Sequence, residues 1–251
     1  MKSFIKDKLI CNIYGSRAEM GKAAADDAAK ILCDLLAKQD EVNVIFAAAP
    51  SQNEMLSSLV AHEGIDWSRV NAFHMDEYSG LDKDAPQGFY NFLNRAIFSK
   101  LPFRSVHRIS CDKTADEAIS EYTELLASHP CDLCLMGIGE NGHIAFNDPH
   151  EADFCDKAVI KAVTLDDTCR MQQVNDGCFK AFDDVPKQAL TLTVPTLVSA
   201  KHIICVVPAK TKANAVKRML TGEINEQCPA TAIRNHIHAA LYLDPDSASL
   251  L

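Results

Sequence analysis

Gly137-Ile-Gly-Glu-Asn-Gly-His-Ile-Ala-Phe-Asn-Asp-Pro149 follows the short apolar run Leu133 to Met136. The run reads as a buried strand, and the three glycines behind it permit a tight backbone path. His143 and Asp148 emerge on the far side of that path. The pattern therefore sets an imidazole on a loop at the carboxyl end of a strand. In open parallel sheets ligands bind at that edge. Histidine is a side chain suited to moving protons, and a nearby carboxylate can fix its tautomer and stabilise its cation.

Outward from this loop, apolar strand-like runs alternate with helical patterns. Strands are expected over 8–14, 42–49, 69–74, 106–110, 132–138, 158–163, 189–194, 202–207 and 239–243. Amphipathic helices are expected over 17–38, 115–128 and 210–220. Several strand runs are continuously apolar, as strands buried on both faces are. The alternating order predicts an α/β fold, with a mostly parallel sheet between helical layers. Residues 1–251 read as one domain, with no repeat or low-complexity linker. The polar, irregular stretch 151–184 is expected to form a lid over a site.

The composition narrows the function classes. The chain has 251 residues, 47% hydrophobic and 24% charged, with a formal charge of -9. An acidic chain without a Lys/Arg cluster is a poor partner for nucleic acid or an anionic membrane. The N-terminus shows no signal-peptide apolar region, and no stretch reaches the roughly 20 apolar residues of a membrane span. The 10 cysteines are scattered. They read as free thiols in a reducing, cytoplasmic setting. The lone Cys131-x-x-Cys134 pair is not expected to bind a metal, because a strand would point the two residues to opposite faces.

Three further segments carry candidate chemistry. Phe73-His-Met-Asp-Glu-Tyr-Ser-Gly80 ends the third strand. Asp76 and Glu77 face opposite ways in extended chain, so one of them is expected in a cleft, where it could act as a base. Ala47-Ala-Ala-Pro-Ser-Gln-Asn-Glu54 follows the second strand. Ser51 and Glu54 have capping-box spacing, and the start of such a helix can receive an anion. Arg170, in the polar segment, and Lys212, at a helix start beyond strand 202–207, are candidate phosphate ligands. His236 and His238 read as structural.

Taken together these segments resemble the glucosamine-6-phosphate deaminase/isomerase family, to which 6-phosphogluconolactonases are related. The strongest matches are Phe73 to Leu81 and Gly137 to Pro149. Weaker ones are Val185-Pro-Lys-Gln-Ala-Leu-Thr-Leu-Thr-Val194, the surroundings of Arg170 and Lys212, and Ala240-Leu-Tyr-Leu-Asp244. The resemblance implies a Rossmann-like three-layer fold that needs no cofactor or metal. The reaction it implies converts a hexosamine 6-phosphate and water into a ketose phosphate and ammonia. It puts the base at Asp76, the ring-opening histidine at His143 and its acidic partner at Asp148, with Asn141 in support. The phosphate falls to Ser51, Gln52, Arg170 and Lys212. The expected partner is a small sugar phosphate, and a homo-oligomer is possible.

The chain departs from the family pattern at three places. The family's loop is Thr-Gly-Gly-Thr-Pro-like, whereas here it reads Ala48-Ala-Pro-Ser-Gln52. Asn141 stands where Asp is common, and Asp148 where Glu is usual. The expected substrate is glucosamine 6-phosphate, giving fructose 6-phosphate, and these changes add a different epimer, such as galactosamine 6-phosphate, as a second candidate. A lactonase-type hydrolase and a non-catalytic sugar-phosphate sensor are the alternatives. A lactonase needs only water activation, without a base for C1–C2 transfer.

Overall fold

In a computed structural model describing residues 1–251, strands and helices alternate from the first turn. The opening hairpin β1 (Lys2–Lys6) and β2 (Leu9–Ile13) leads into the long helix α1 (Arg17–Leu36). Then come β3 (Val42–Phe46), α2 (Asn53–Val60), β4 (Val70–His74) and the short β5 (Asp76–Tyr78). The middle of the chain supplies α3 (Phe89–Leu93), β6 (Ser105–Val106), α4 (Ala115–Ser128) and β7 (Leu133–Met136). The last third forms β8 (Ile160–Thr164), α5 (Asp167–Asn175), β9 (Gln188–Leu192) and α6 (Val194–Val198). It closes with β10 (His202–Val207), α7 (Ala213–Thr221) and β11 (Ala239–Leu243).

Eight strands form one sheet in the order β1-β2-β11-β10-β7-β3-β4-β6. Only the β1–β2 pair is antiparallel. Side chains alternate between two cores, one on each face. Val44, Phe46, Leu133, Leu135 and Ile204 pack with α1 and α2. Ile45, Cys134, Met136, Cys205 and Val207 pack with α4 and α7. This double burial explains the unbroken apolar runs and gives the three layers expected from sequence.

The second sheet, β5-β9-β8, is antiparallel. Segments 158–163 and 189–194 thus become strands, but outside the main sheet. Of segment 106–110 only Val106 lies in a strand, β6. Beyond it the Ile109 amide donates to His74 Nε2 rather than to a ladder carbonyl. The strand β1 went unread in the sequence because its residues are largely polar and exposed at the sheet edge.

Residues 151–184 hold β8 and α5. β8 is paired throughout with β9, while α5 lies over a cleft. All 10 cysteines are free. No helix is long and apolar enough to cross a membrane.

Candidate active site

Four neighbouring strands, β10, β7, β3 and β4, open onto one cleft at their carboxyl ends. The cleft encloses about 510 Å³ of space including its open mouth. Each strand brings polar side chains to its lining: Lys212 after β10, His143 after β7, Ser51 and Gln52 after β3, and Asp76 after β4. α5 covers them with Gln172 and Gln173.

The imidazole is held from several sides. His143 Nδ1 lies 2.9 Å from Asp148 Oδ1. Asn141 Nδ2 donates to Asp148 Oδ1 and to Asp166 Oδ2, at 2.8 and 2.9 Å, while Asn141 Oδ1 accepts the His143 amide. Burial works to raise the Asp148 carboxyl, but the bond and charge of His143, with Asn141 and the Asp166 amide, outweigh it and hold it below the usual carboxylate range. An ionised Asp148 accepts the Nδ1 proton, so the lone pair sits on Nε2, free for a ligand. Asn141 therefore acts on Asp148 and on the loop backbone rather than on the ring.

The glycines of this loop have individual reasons. A Cβ on Gly139 would come within 2.1 Å of His143 Nε2. The ring lies against bare backbone there. Gly139→Ala is expected to expel the ring, costing about 1–3 kcal/mol of stability from overpacking and most of the activity. Denaturant melts and turnover of the variant check this, and a wild-type turnover number would contradict it. Gly142 has φ 90, a left-handed conformation, with Cys228 Sγ 2.7 Å from where its Cβ would be. Two residues past His143, Ala145 holds φ 48 without being glycine. Asn147 Nδ2 secures that turn by donating to Ile144 O and to Leu192 O of β9.

Asp76 is buried and faces the cleft, whereas Glu77 points away. Glu77 accepts the amides of Tyr78, Phe89 and Tyr90 at 2.9–3.1 Å and so anchors α3. One of the two adjacent acids thus faces the cleft, as their alternation predicted. Burial, reinforced by the charge of Glu77, pushes the Asp76 carboxyl well above its ordinary value. A carboxyl so shifted in a cleft is the kind of group that serves as a general base.

His74 supports Asp76 and was passed over in the sequence. It is fully buried, with Nδ1 2.9 Å from Asp76 O and Nε2 accepting the Ile109 amide. Nδ1 therefore carries the proton and donates it to that carbonyl. Burial lowers its pKa to about 4, so it stays neutral in use. Its only sequence signal was a polar residue closing a strand that also holds Asn71.

Lys212 Nζ is buried without a hydrogen-bond partner. Burial lowers its pKa, opposed by the charges of Asp176 and Glu140. Ala209, three residues earlier, adopts φ 82, and both Asp244 oxygens accept its amide. The closing Asp244 thus sets the turn that delivers Lys212, a role that spacing alone did not reveal.

Two expectations need correction. Arg170 does not line the cleft. Its guanidinium donates to Phe182 O and Val185 O at 3.0–3.3 Å and stacks 3.9 Å from the Phe182 ring centre. The carbonyls that follow α5 need donors, and the planar fork of an arginine supplies several at once. Nor does the capping box of Ser51 and Glu54 form. Glu54 pairs instead with Arg17 at 2.8 Å, and Pro50 opens a single tight turn before α2.

His143, Asp148 and Cys169 place ligand-type atoms within 4.8 Å of one another. Asp148, however, is already taken up by His143, Asn141 and the Asp166 amide. Burial, with the charges of Asp148 and Asp166, keeps the Cys169 thiol well above its usual pKa.

The family model for glucosamine-6-phosphate isomerases/6-phosphogluconolactonase matches residues 15–242. The chain belongs to that family. Among curated relatives, a glucosamine-6-phosphate deaminase of Listeria monocytogenes is 33% identical over 212 residues, 84% of this chain and 88% of its own. One from Lactobacillus delbrueckii is 32% identical over 240 residues, covering 95% and 98%. A solved structure described as a monomeric glucosamine-6-phosphate deaminase superposes with a TM-score of 0.86 at 27% identity, covering 96% and 99% of the two chains. A 6-phosphogluconolactonase of Thermotoga maritima gives 0.76 at 17% identity, covering 93% and 98%, and shares the fold. Members of the family are enzymes acting on sugar phosphates, and the three-layer fold of this chain is theirs.

Proposed function

We propose that this protein isomerises and deaminates a hexosamine 6-phosphate. Glucosamine 6-phosphate and water would give fructose 6-phosphate and ammonia, or galactosamine 6-phosphate its ketose equivalent. The observation that carries this reading is the unpartnered, buried ammonium of Lys212, in one cleft with the Asp76 carboxyl and the His143–Asp148 pair. A buried cation without a partner is costly, and an anionic ligand relieves that cost.

The residue types suit the steps. His143 Nε2 takes the O1 proton of the cyclic sugar and returns it to the ring O5 as the C1–O5 bond breaks. Asp76 removes the C2 proton and delivers it to C1, while O1 takes up a proton that the substrate ammonium gives up, leaving an iminium carbon at C2. Water adds to C2, and the amine departs as ammonia when the ketone forms. Lys212 and Ser51 hold the phosphate so that C1 and C2 stay against Asp76, a positioning effect that lowers the barrier. A lactonase would have no use for a base at Asp76. We place the reaction in the cytoplasm, in the breakdown of amino sugars, where 10 free thiols stay reduced.

Ammonia release should be measured with glucosamine, galactosamine and mannosamine 6-phosphates, beside hydrolysis of 6-phosphogluconolactone. Ketose and ammonia in equal amounts from one epimer support the reading. Lactone hydrolysis alone overturns it. Lys212→Met is expected to raise KM roughly 10- to 100-fold, the value of a charge-assisted contact, with a smaller effect on kcat. An unchanged KM removes Lys212 from the phosphate site.

A further inference from the structure

Gln52 stands where the resemblance expected a phosphate ligand, yet its hydrogen bonds point to another task. Its side chain is fully buried in the cleft lining. Nε2 donates to Val206 O at 3.2 Å and to Ser51 Oγ at 3.0 Å. A backbone carbonyl can only accept, so the amide cannot be turned the other way. Its remaining polar atom, Oε1, is buried with no partner. Gly137 makes room for this bridge, because a Cβ there would come within 2.8 Å of Nε2.

This orientation divides the work in the loop. Ser51 Oγ, accepting from Gln52, keeps its own hydrogen for an acceptor such as a phosphate oxygen. Gln52 Oε1 offers only lone pairs, and a phosphate ester ionised at neutral pH offers only lone pairs in return. The group that satisfies Oε1 must bring a hydrogen. We infer that Gln52 Oε1 accepts a hydrogen bond from one hydroxyl of the sugar and so helps to select the substrate among hexose phosphates. The inference rests on the sugar-phosphate reading of the cleft and goes beyond it, because it moves Gln52 from the phosphate to the carbon skeleton. Sites built to pair a substrate hydroxyl discriminate strongly against analogues lacking it, since the buried partner is then left unsatisfied.

Calorimetry with glucitol 6-phosphate and its 3-, 4- and 5-deoxy forms tests this without turnover. Glucitol 6-phosphate has hydroxyls and no amine, so any dependence on Gln52 reports a hydroxyl. Inorganic phosphate serves as the control ligand. In the wild type one deoxy form should bind about 10- to 100-fold more weakly than the parent, the cost of an unsatisfied buried acceptor. Gln52→Met should shrink that ratio to near one while leaving inorganic phosphate binding within about threefold, as losing no phosphate contact implies. Unchanged binding of inorganic phosphate by Gln52→Met guards against a fold defect in that variant. Equal weakening toward every analogue and inorganic phosphate overturns the inference and returns Gln52 to the phosphate. So does a deoxy ratio unchanged in Gln52→Met. Failure of the wild type to bind glucitol 6-phosphate at all sinks the sugar-phosphate reading itself, and this inference with it.

Discussion

Asp76→Asn should lower kcat by ~10³-fold, within the range for loss of a general base, while sugar-phosphate binding stays within a few-fold. The asparagine keeps the shape of the side chain and cannot take the C2 proton. The same substitution should make the protein more stable above acidic pH. The folded Asp76 carboxyl titrates well above its ordinary 3.8 because burial and Glu77 disfavour the charge. Between 3.8 and that raised value the folded state keeps a proton that the unfolded chain has lost. Stability is therefore fully present below that window and falls as pH rises through it. Asparagine has no such titration, so its advantage should be absent near pH 4 and grow toward pH 8. Thermal melts across that range measure it, and a variant less stable than wild type at pH 8 would refute the burial argument. The wild-type kcat/KM profile should carry an acid limb above the usual carboxylate range, since the base must be ionised. His74, neutral down to about pH 4, should add no limb of its own.

His143→Gln should reduce turnover of cyclic glucosamine 6-phosphate by about 10²-fold or more, the typical worth of acid–base catalysis. Glutamine can occupy the space over Gly139 but cannot move a proton between O1 and O5. A 4,5-dideoxy analogue has no hydroxyl able to close a pyranose or furanose ring. On that substrate the variant should lose no more than about fivefold, because only Asp76 is then needed for the proton shift. Equal losses on both substrates would show that His143 serves a later step. The comparison is sharp because His143 and Asp76 reach the cleft from different strands, β7 and β4.

Much of this arrangement was readable beforehand, for local reasons. The apolar runs predicted a sheet buried on both faces, and two cores occupy those faces. The five-residue spacing from His143 to Asp148 across a tight turn brought their side chains to 2.9 Å. Alternation along extended chain separated Asp76 from Glu77. Arg170 shows where such reasoning stopped. A cation in a polar segment looks available, but the carbonyls of Phe182 and Val185 claimed it once the chain turned back. The capping box failed similarly, because Arg17, 37 residues away, drew Glu54 off the helix start.

The sequence by itself determined most strands of the main sheet and the helices α1, α4 and α7, the glycine path beneath His143 and the identity of the groups at each strand end. These follow from backbone sterics and from apolar periodicity, which act over a few residues. Tertiary structure decided which atoms remain free. Gln52 donates to Val206, 154 residues away, and so presents its oxygen. Lys212 is left buried without a partner, and His74 is kept neutral beneath Asp76. Availability of a lone pair or a proton depends on every neighbour that packs around it. Those neighbours come from distant strands, whose meeting the spacing of residues along the chain does not specify.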